Sequence, residues 1–292
     1  MKNFKKLALM GLTAVMSLSL LTACDGGTTG NAETPAGNSE TPAAENSETP
    51  AATGEFTTVE EGKLIMSTNA QFPPYEMVGD GEGYEGTGYE GIDVEIAYAI
   101  AQKLGLELVV DNMGFDASLQ AVQTGKSDIV MAGVTVTDDR LEVMDFSDTY
   151  ANGIQVVIVP EDSEITTIED LDGKLIGCQM GTTGYIYCSD TPENGGYGED
   201  AVIPYDDGAA AIQALLNGQV DCVVIDNAPA QEYVKANPGL KILDTEFANE
   251  NYAIGFAKGN AALKDAVNNA LSELIEDGTV QSIIDKYIPA EG

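Results

Sequence analysis

The sequence contains one short unit twice, as Leu119-Gln-Ala-Val-Gln-Thr-Gly-Lys-Ser-Asp-Ile-Val-Met-Ala-Gly133 and as Ile212-Gln-Ala-Leu-Leu-Asn-Gly-Gln-Val-Asp-Cys-Val-Val-Ile-Asp226. The copies share Gln120/Gln213, Ala121/Ala214, Gly125/Gly218, Asp128/Asp221 and Val130/Val223. Each copy reads as a helix, a glycine that stops it, a turn and a short apolar strand. Such strands between helices are typical of a parallel sheet covered on both faces. The repeat predicts two α/β lobes, with chance similarity of two common αβ units as the alternative.

The repeat also places two residues at equivalent ends of strands. Gly133 closes the first copy and Asp226 closes the second. Ligands of open α/β sheets bind beyond the carboxyl ends of the strands. A ligand held between two such lobes would therefore contact both Gly133 and Asp226.

The composition excludes several kinds of site. The chain has 48 acidic against 13 basic residues, which argues against nucleic acid and is typical of a solvated surface. It has no histidine, so the commonest general base and the commonest nitrogen ligand of zinc or copper are missing. We expect no metal, no cofactor and no imidazole triad, although carboxylate or cysteine catalysis remains open.

The N-terminus reads as an export signal. Lys2, Lys5 and Lys6 precede an apolar stretch from residue 7 to 21, which is too short to span a bilayer comfortably. Leu21-Thr-Ala-Cys24 resembles the lipobox of bacterial lipoproteins. This resemblance implies a signal peptide at residues 1–23 and a lipid on Cys24, with ordinary secretion as the alternative.

A low-complexity segment follows at residues 24–58. Asn-Ser-Glu-Thr-Pro-Ala-Ala occurs in it twice, at 38–44 and 46–52. Because the segment has almost no large hydrophobic residue to bury, we expect a disordered tether between membrane and domain.

Three further cysteines remain, and an odd number cannot pair completely within one chain. Cys178 and Cys222 lie in apolar runs that read as strands, and Cys188 lies outside them. Buried free thiols are the favoured interpretation, and one disulfide is the alternative.

A loop that contains two prolines and two aromatic residues follows the first predicted strand. Thr68-Asn-Ala-Gln-Phe-Pro-Pro-Tyr-Glu76 cannot continue as a helix through its prolines. Phe72 and Tyr75 are then either core residues or walls of a site, and the sequence alone favours the core.

Arg140 is the only arginine in the chain. It follows Gly133, the hydroxyl of Thr135 and a predicted helix N-cap, Thr137. Its planar fork of donors matches a carboxylate in a bidentate manner. An internal ion pair with Asp138, Asp139 or Asp145 is the equal alternative.

The second predicted lobe offers complementary groups. A strand at residues 174–179 runs into Met180-Gly-Thr-Thr-Gly184, where a helix start would present backbone N–H groups to an anion, or simply form a tight turn. Asp226 could pair with an ammonium group. Arg140, the turn at Gly181–Thr183 and Asp226 would together complement a zwitterion, of which an α-amino acid is the simplest.

From about Gly62 to Ile288 the sequence resembles the family 3 solute-binding proteins of ABC importers. The resemblance rests on the following segments in order: Phe72-Pro-Pro-Tyr-Glu76, Gly91-Ile-Asp-Val-Glu95, Gly133-Val-Thr-Val-Thr-Asp-Asp-Arg140, Asp145-Phe-Ser-Asp148, Gly181-Thr-Thr183 and Ile225-Asp226. It implies a two-lobed α/β fold of the type II periplasmic-binding-protein kind, each lobe a mixed sheet flanked by helices, joined by a two-strand hinge.

The resemblance also implies roles for residues. Arg140 would bind the ligand α-carboxylate, assisted by the residues Thr135, Thr182 and Thr183. Asp226 and the carbonyl of Gly133 would take the α-amino group. Phe72 and Phe115 would sandwich the side chain, which moves Phe72 from the core to the wall, and Gln179 falls where relatives often contact the ligand.

Asn69 limits the choice of ligand. It stands where relatives for basic amino acids, and a glutamine-binding relative, have an aspartate. A neutral amide cannot compensate a buried positive charge, so we predict a neutral ligand rather than lysine or arginine. The acidic surface is a weak counter-argument.

The domain boundaries follow from the same resemblance. Chain crossings near residues 153–155 and 249–252 would give a first lobe of residues 59–153 and 251–292 and a second lobe of residues 154–250. The first lobe would include a C-terminal helix with the apolar stripe Leu263, Val267, Leu271 and Leu274. Relatives close the lobes on the ligand by a hinge, a motion for which periplasmic binding proteins are a known example.

These observations predict a lipid-anchored monomer on the outer face of the cytoplasmic membrane, which captures a free L-amino acid and delivers it to a membrane permease. One alternative is a sensing lipoprotein that acts on a receptor. A neighbouring kinase gene would favour sensing, whereas neighbouring permease and ATPase genes would favour import. Another is an enzyme that dehydrates prephenate-like acids, which incubation with prephenate or arogenate would reveal.

Overall fold

The computed structural model describes residues 56–289. The predicted signal peptide, the predicted lipid attachment at Cys24 and the predicted tether up to residue 55 lie outside the described residues and stay predictions. Within residues 56–289, no helix has the length and apolar character needed to cross a membrane.

The described chain alternates short strands with helices. The strands are β1 (Lys63–Thr68), β2 (Gln71–Phe72), β3 (Glu76–Val78), β4 (Tyr89–Glu90), β5 (Glu107–Asn112), β6 (Ile129–Val130), β7 (Met144–Pro160), β8 (Ile176–Gln179), β9 (Val202–Tyr205), β10 (Cys222–Asp226), β11 (Leu240–Ile242) and β12 (Ala248–Ala257). The α-helices are α1 (Ile92–Leu104), α2 (Phe115–Gln123), α3 (Asp138–Val143), α4 (Thr183–Ser189), α5 (Gly208–Leu216), α6 (Asn227–Ala236), α7 (Ala261–Glu276) and α8 (Thr279–Tyr287). Single 3-10 turns lie at Tyr84–Gly86, Ile168–Leu171, Pro192–Asn194 and Glu199–Ala201.

The main sheet has two halves that share two strands. Its strand order is β5-β1-β6-β12-β7-β10-β8-β9, and β11 pairs with β7. Within each half the αβ units pair in parallel, β5-β1-β6 in one and β10-β8-β9 in the other. A small separate sheet, β2-β3-β4, sits beside the first half. The two halves are the two lobes that the sequence predicts.

Strands β7 and β12 connect the lobes. They pair antiparallel from Gln155 opposite Ala248 to Met144 opposite Ala257. The end of β7 also pairs with β10 and β11 in the second lobe, whereas β12 reaches β6 in the first lobe. This two-stranded ladder contains both predicted crossings, and its central pairs include Gly153 opposite Glu250.

The repeated αβ unit is present in both lobes, as α2 with β6 and as α5 with β10. The two glycine stops adopt left-handed backbone conformations, Gly125 with φ of 70° and Gly218 with φ of 67°. The first strand is shorter than predicted, because β6 ends at Val130 and leaves Gly133 beyond the ladder. The neighbouring strand β12 is bulged between Tyr252 and Gly255, which interrupts regular pairing there.

The three cysteines of the second lobe are free thiols. Cys178, Cys188 and Cys222 are all fully buried in one apolar cluster with Val157 and Leu171. The favoured interpretation of buried thiols is therefore confirmed over a disulfide.

Helix α7 closes the apolar core of the first lobe. Its predicted stripe is buried and packs with α1 and β7, and consists of Leu263, Val267, Leu271 and Leu274. The chain after the second crossing thus returns to the first lobe and completes its core.

Truncating this stripe should destabilise the fold. Leu271 is 0% exposed, so Leu271→Ala removes buried methyl groups and leaves a cavity that costs about 2–5 kcal/mol of unfolding free energy. Leu216→Ala is the matched control, because Leu216 is 45% exposed and should lose less than about 0.5 kcal/mol. Urea unfolding followed by circular dichroism measures both, and equal losses would contradict the packing of α7.

Candidate functional site

A narrow cavity lies between the lobes, where the ends of the parallel strands face each other. It contains about 330 Å³ of space not filled by atoms. The structure brings all ten predicted site residues to its wall, namely Asn69, Phe72, Phe115, Gly133, Thr135, Arg140, Gln179, Thr182, Thr183 and Asp226. Glu76 and Ala132 also line it, and sequence reasoning singled out neither.

Arg140 is held at one end of the cavity. The predicted N-cap is confirmed, because the Thr137 hydroxyl accepts a hydrogen bond from the Arg140 amide, and this cap starts α3. The guanidinium donates from Nη1 to the Thr135 carbonyl at 2.8 Å and from Nη2 to the Gly181 carbonyl at 3.2 Å. Its Cζ lies 5.5 Å from the centre of the Phe115 ring.

The Arg140 guanidinium forms no internal ion pair within residues 56–289, and Asp145 pairs instead with Lys258 at 3.2 Å. Only 8% of Arg140 is exposed. Burial lowers its pKa, while the field of Glu250 raises it again. A buried guanidinium whose hydrogen bonds go only to two carbonyl oxygens retains further N–H donors for an anion.

The opposite wall at this end is the turn that precedes α4. Gly181 has φ of 77°, and Thr182 caps the helix by accepting from the Tyr185 amide. The Thr182 hydroxyl also donates to the Gln179 carbonyl at 2.8 Å. The predicted helix start is therefore confirmed, and the bond between Arg140 and Gly181 places the guanidinium beside the first turn of α4.

The lobes also touch through two amides. Gln179 Nε2 donates to Asn69 Oδ1 at 2.9 Å, and Asn69 Nδ2 donates to the Met113 carbonyl at 2.9 Å. Gln179 and Asn69 belong to β8 and the loop after β1, in different lobes. The amide of Asn69 is thus satisfied by neutral partners.

Asp226 lies at the end of β10, where α6 begins. Its Oδ2 accepts from Gln155 Nε2 at 2.7 Å, and its Oδ1 is buried with no hydrogen-bond partner among the described residues. Burial and the nearby carboxylate of Glu250 raise the pKa of Asp226 well above its usual range. Such an oxygen is an acceptor site for an N–H donor.

Gly133 is fixed beside this acidic wall. Its amide donates to Asp93 Oδ2 at 2.9 Å, and Tyr150 donates its hydroxyl to the other oxygen of Asp93 at 2.8 Å. Burial raises the pKa of Asp93 to about 6, although both hydrogen bonds favour its anion. Position 133 requires glycine, because a Cβ added there would lie 2.9 Å from Cε1 of Phe72.

The two aromatic residues of the proline-containing loop occupy different positions. Phe72 reaches the cavity, whereas Tyr75 is buried in the core and does not line it. Tyr75 stacks on Phe72 with ring centres 5.8 Å apart and packs edge-on against Tyr252 at 5.2 Å. Phe72 therefore lines the cavity and packs on a core residue, Tyr75.

Glu76 is the cavity residue that sequence reasoning missed. It is 0% exposed, and neither carboxylate oxygen has a hydrogen-bond partner among the described residues. Burial, followed by the field of Asp93, raises the pKa of Glu76 well above its usual range and so favours its protonated form. Its place in Phe72-Pro-Pro-Tyr-Glu76 was visible, but its burial depends on α1 and the second lobe.

This fold, with a cation and unpaired carboxyl oxygens facing one interlobe cavity, defines a two-lobed solute-binding protein. The profile of the bacterial extracellular solute-binding proteins, family 3, matches residues 64–290. The chain belongs to this family.

Relatives and solved structures agree with the family. A probable histidine-binding protein of Neisseria gonorrhoeae is 34% identical over 79% of this chain and 85% of its own length. The arginine-binding extracellular protein ArtP of Bacillus subtilis is 32% identical over 78% and 87%. The structure of an ancestral arginine-binding protein bound to glutamine superposes with a TM-score of 0.68, at 38% identity over 78% of this chain and 99% of that chain. These neighbours confirm the predicted type II fold.

Proposed function

We propose that this protein is the lipid-anchored substrate-binding component of an ABC importer and captures one free L-amino acid between its lobes. One observation carries the proposal: within residues 56–289 the buried guanidinium of Arg140 has no ion pair and Oδ1 of Asp226 has no hydrogen-bond partner, and both residues line the same cavity. Opposite charges held apart in this way complement a zwitterion. Solute-binding proteins of this family support the class of function.

Each wall of the cavity then has a role. Arg140 binds the α-carboxylate with the residues Thr135, Thr182 and Thr183. Asp226 and the carbonyl of Gly133 bind the α-ammonium group. Phe72 and Phe115 contact the side chain, and Asn69 and Gln179 meet its polar end.

We propose further that the side chain of the ligand is neutral or polar. Asn69 and Gln179 present amides, and burial favours the protonated form of Glu76, so neutral groups dominate this part of the wall. A buried cationic side chain would then lack a partner and be disfavoured by several kcal/mol. Two relatives are named for binding histidine and arginine, so the screen below includes both amino acids.

The remaining parts concern the setting of the protein. Cys24 would carry the lipid, residues 24–58 would form the tether, and closure of the lobes at residues 153/154 and 250/251 would present a surface to the permease. The protein would act as a monomer and release its ligand chemically unchanged.

A thermal-shift screen of the twenty proteinogenic L-amino acids and cystine tests this function. Ligand at a hundred times its dissociation constant adds about 2.7 kcal/mol of unfolding free energy, so a true ligand stands out clearly. We expect a neutral or polar amino acid to give the largest shift. A largest shift with lysine or arginine would overturn the neutral ligand, and no shift with any amino acid would overturn the function.

Glu76→Gln separates a neutral from a cationic ligand. Glutamine is isosteric with a protonated glutamate, so at pH 7 we expect the affinity for a neutral amino acid to change by less than about threefold. If Glu76 instead bound a cation as an anion, the loss would approach a hundredfold, or about 3 kcal/mol. Calorimetric titration of both proteins measures the difference, and Glu90→Gln serves as the control on the same small sheet.

A further inference from the structure

A second carboxylate lies directly behind Asp226, at the crossing of the lobes. Glu250 of β12 is 4% exposed and does not line the cavity. Gln155 of β7 stands between the two acids in the sheet and donates from one nitrogen to both, to Asp226 Oδ2 at 2.7 Å and to Glu250 Oε2 at 3.1 Å. The two acids are therefore tied together by a single buried amide.

Glu250 also reaches the first lobe. The Thr135 hydroxyl donates to Glu250 Oε2 at 2.9 Å, and the carbonyl of the same Thr135 accepts from Arg140. The network thus links the residue proposed for the ammonium group with the residue proposed for the carboxylate. It crosses β10, β7 and β12 and includes both hinge strands.

The network has more acceptors than donors. Asp226 Oδ1, Glu250 Oε1 and Gln155 Oε1 are buried without hydrogen-bond partners among the described residues. Two ionised carboxylates bridged by one buried amide repel each other strongly, and the hydroxyls of Thr135 and Tyr187 donate only to Glu250. One proton on Asp226 removes the repulsion. An ammonium group supplies both a charge and three donors at the same place.

The charged and titratable groups around Asp226 and Glu250 come from several other elements. Arg140 of α3 is the cation whose field favours ionisation of Asp226, whereas burial favours the protonated form of Glu76 of β3. Tyr187 of α4 faces Glu250, and burial and that carboxylate raise the pKa of Tyr187 to about 12. Tyr75, behind Phe72, is likewise protonated because burial raises its pKa.

We infer that Asp226 carries a proton while no amino acid is bound, because the carboxylate of Glu250 is buried beside it, and that the ligand's ammonium group displaces this proton to solvent. Glu250 is then a positioning residue, which acts on the ligand through Asp226 and Gln155. The inference rests on the proposed function and goes beyond it, because it makes ammonium binding a proton exchange. Affinity should therefore rise with pH, by at most about tenfold per unit while Asp226 keeps its proton.

Calorimetric titration in buffers with different ionisation enthalpies measures the proton count directly. The ligand is the amino acid that gives the largest thermal shift among the twenty, added to the chain without its signal peptide. The wild type should release about one proton per amino acid bound. Glu250→Gln should release almost none and should show a flat pH profile, because Asp226 then has no neighbouring carboxylate that favours its protonated form. Glu246→Gln, an exposed neighbour just before β12, should match the wild type.

The outcomes separate the inference from the function on which it rests. Tight binding by the wild type without proton release, or equal release by Glu250→Gln, would overturn the inference and leave the function standing. Absence of binding by any amino acid would overturn both. The wild-type measurement decides the question even if Glu250→Gln does not fold.

Discussion

Replacing Arg140 with alanine should abolish measurable amino-acid binding while the chain stays folded. Among residues 56–289 the guanidinium donates to two carbonyl oxygens, lies over the Phe115 ring and forms no ion pair, so its loss breaks no direct ion pair in the free protein. With a bound ligand, the α-carboxylate would be buried without its cation. Breaking such a pair costs about 2–5 kcal/mol, or roughly thirty- to several-thousandfold in affinity.

Two variants sharpen this test. Arg140→Lys keeps the charge but loses the planar fork, so we expect an affinity between those of the wild type and Arg140→Ala. Lys235→Ala removes a cation whose side chain is 78% exposed and should leave binding unchanged. Calorimetry gives the affinities and circular dichroism the fold. Near-normal affinity of a folded Arg140→Ala would refute the carboxylate role.

The local parts of the fold were predictable because they depend on neighbours in sequence. The helix and glycine stop of each repeat appear at the predicted places, with Gly125 and Gly218 in the left-handed conformation that such a stop requires, whereas the strand of the first repeat is shorter than predicted. The predicted N-cap Thr137 is local for the same reason. Periodicity and capping chemistry therefore sufficed for these elements.

The parts that were missed depend on long-range pairing. The Gln155 side chain meets Glu250 only because β7 and β12 pair in one particular register across the crossing. Glu76 is buried only because α1, β7 and the second lobe close around it, and nothing in its own sequence neighbourhood signals that. Composition could show an excess of acids but could not tell which of them leave solvent.

The ten predicted wall residues came partly from motifs and partly from the resemblance. Gly133 and Asp226 follow from the strand ends that the repeat predicts. Phe115 and Asn69 lie in loops or first turns that no periodicity distinguishes, and only the resemblance pointed to them. Their convergence on one cavity is a property of the tertiary fold.

Asp226→Asn should weaken amino-acid binding strongly and analogues without an amine much less. Asparagine is isosteric and can still accept from Gln155 through its carbonyl oxygen, so the geometry of the wall is kept. The negative charge opposite the ammonium group is lost, which we expect to cost about 2–5 kcal/mol for the amino acid. The same measurement with the corresponding des-amino acid forms a cycle that isolates the ammonium interaction. Equal losses for both compounds would refute that role.

The same substitution should stabilise the ligand-free protein at neutral pH. Because burial and Glu250 raise the folded-state pKa of Asp226, the unfolded state ionises first, and stability falls as the pH rises towards the folded-state pKa. Asparagine removes this loss, so thermal unfolding at pH 7 should shift upwards relative to wild type, whereas both proteins should unfold alike below the unfolded-state pKa. Asp244→Asn, on an exposed residue, should show no such shift. A carboxylate that weakens the empty fold yet strengthens the complex marks a residue kept for binding rather than for stability.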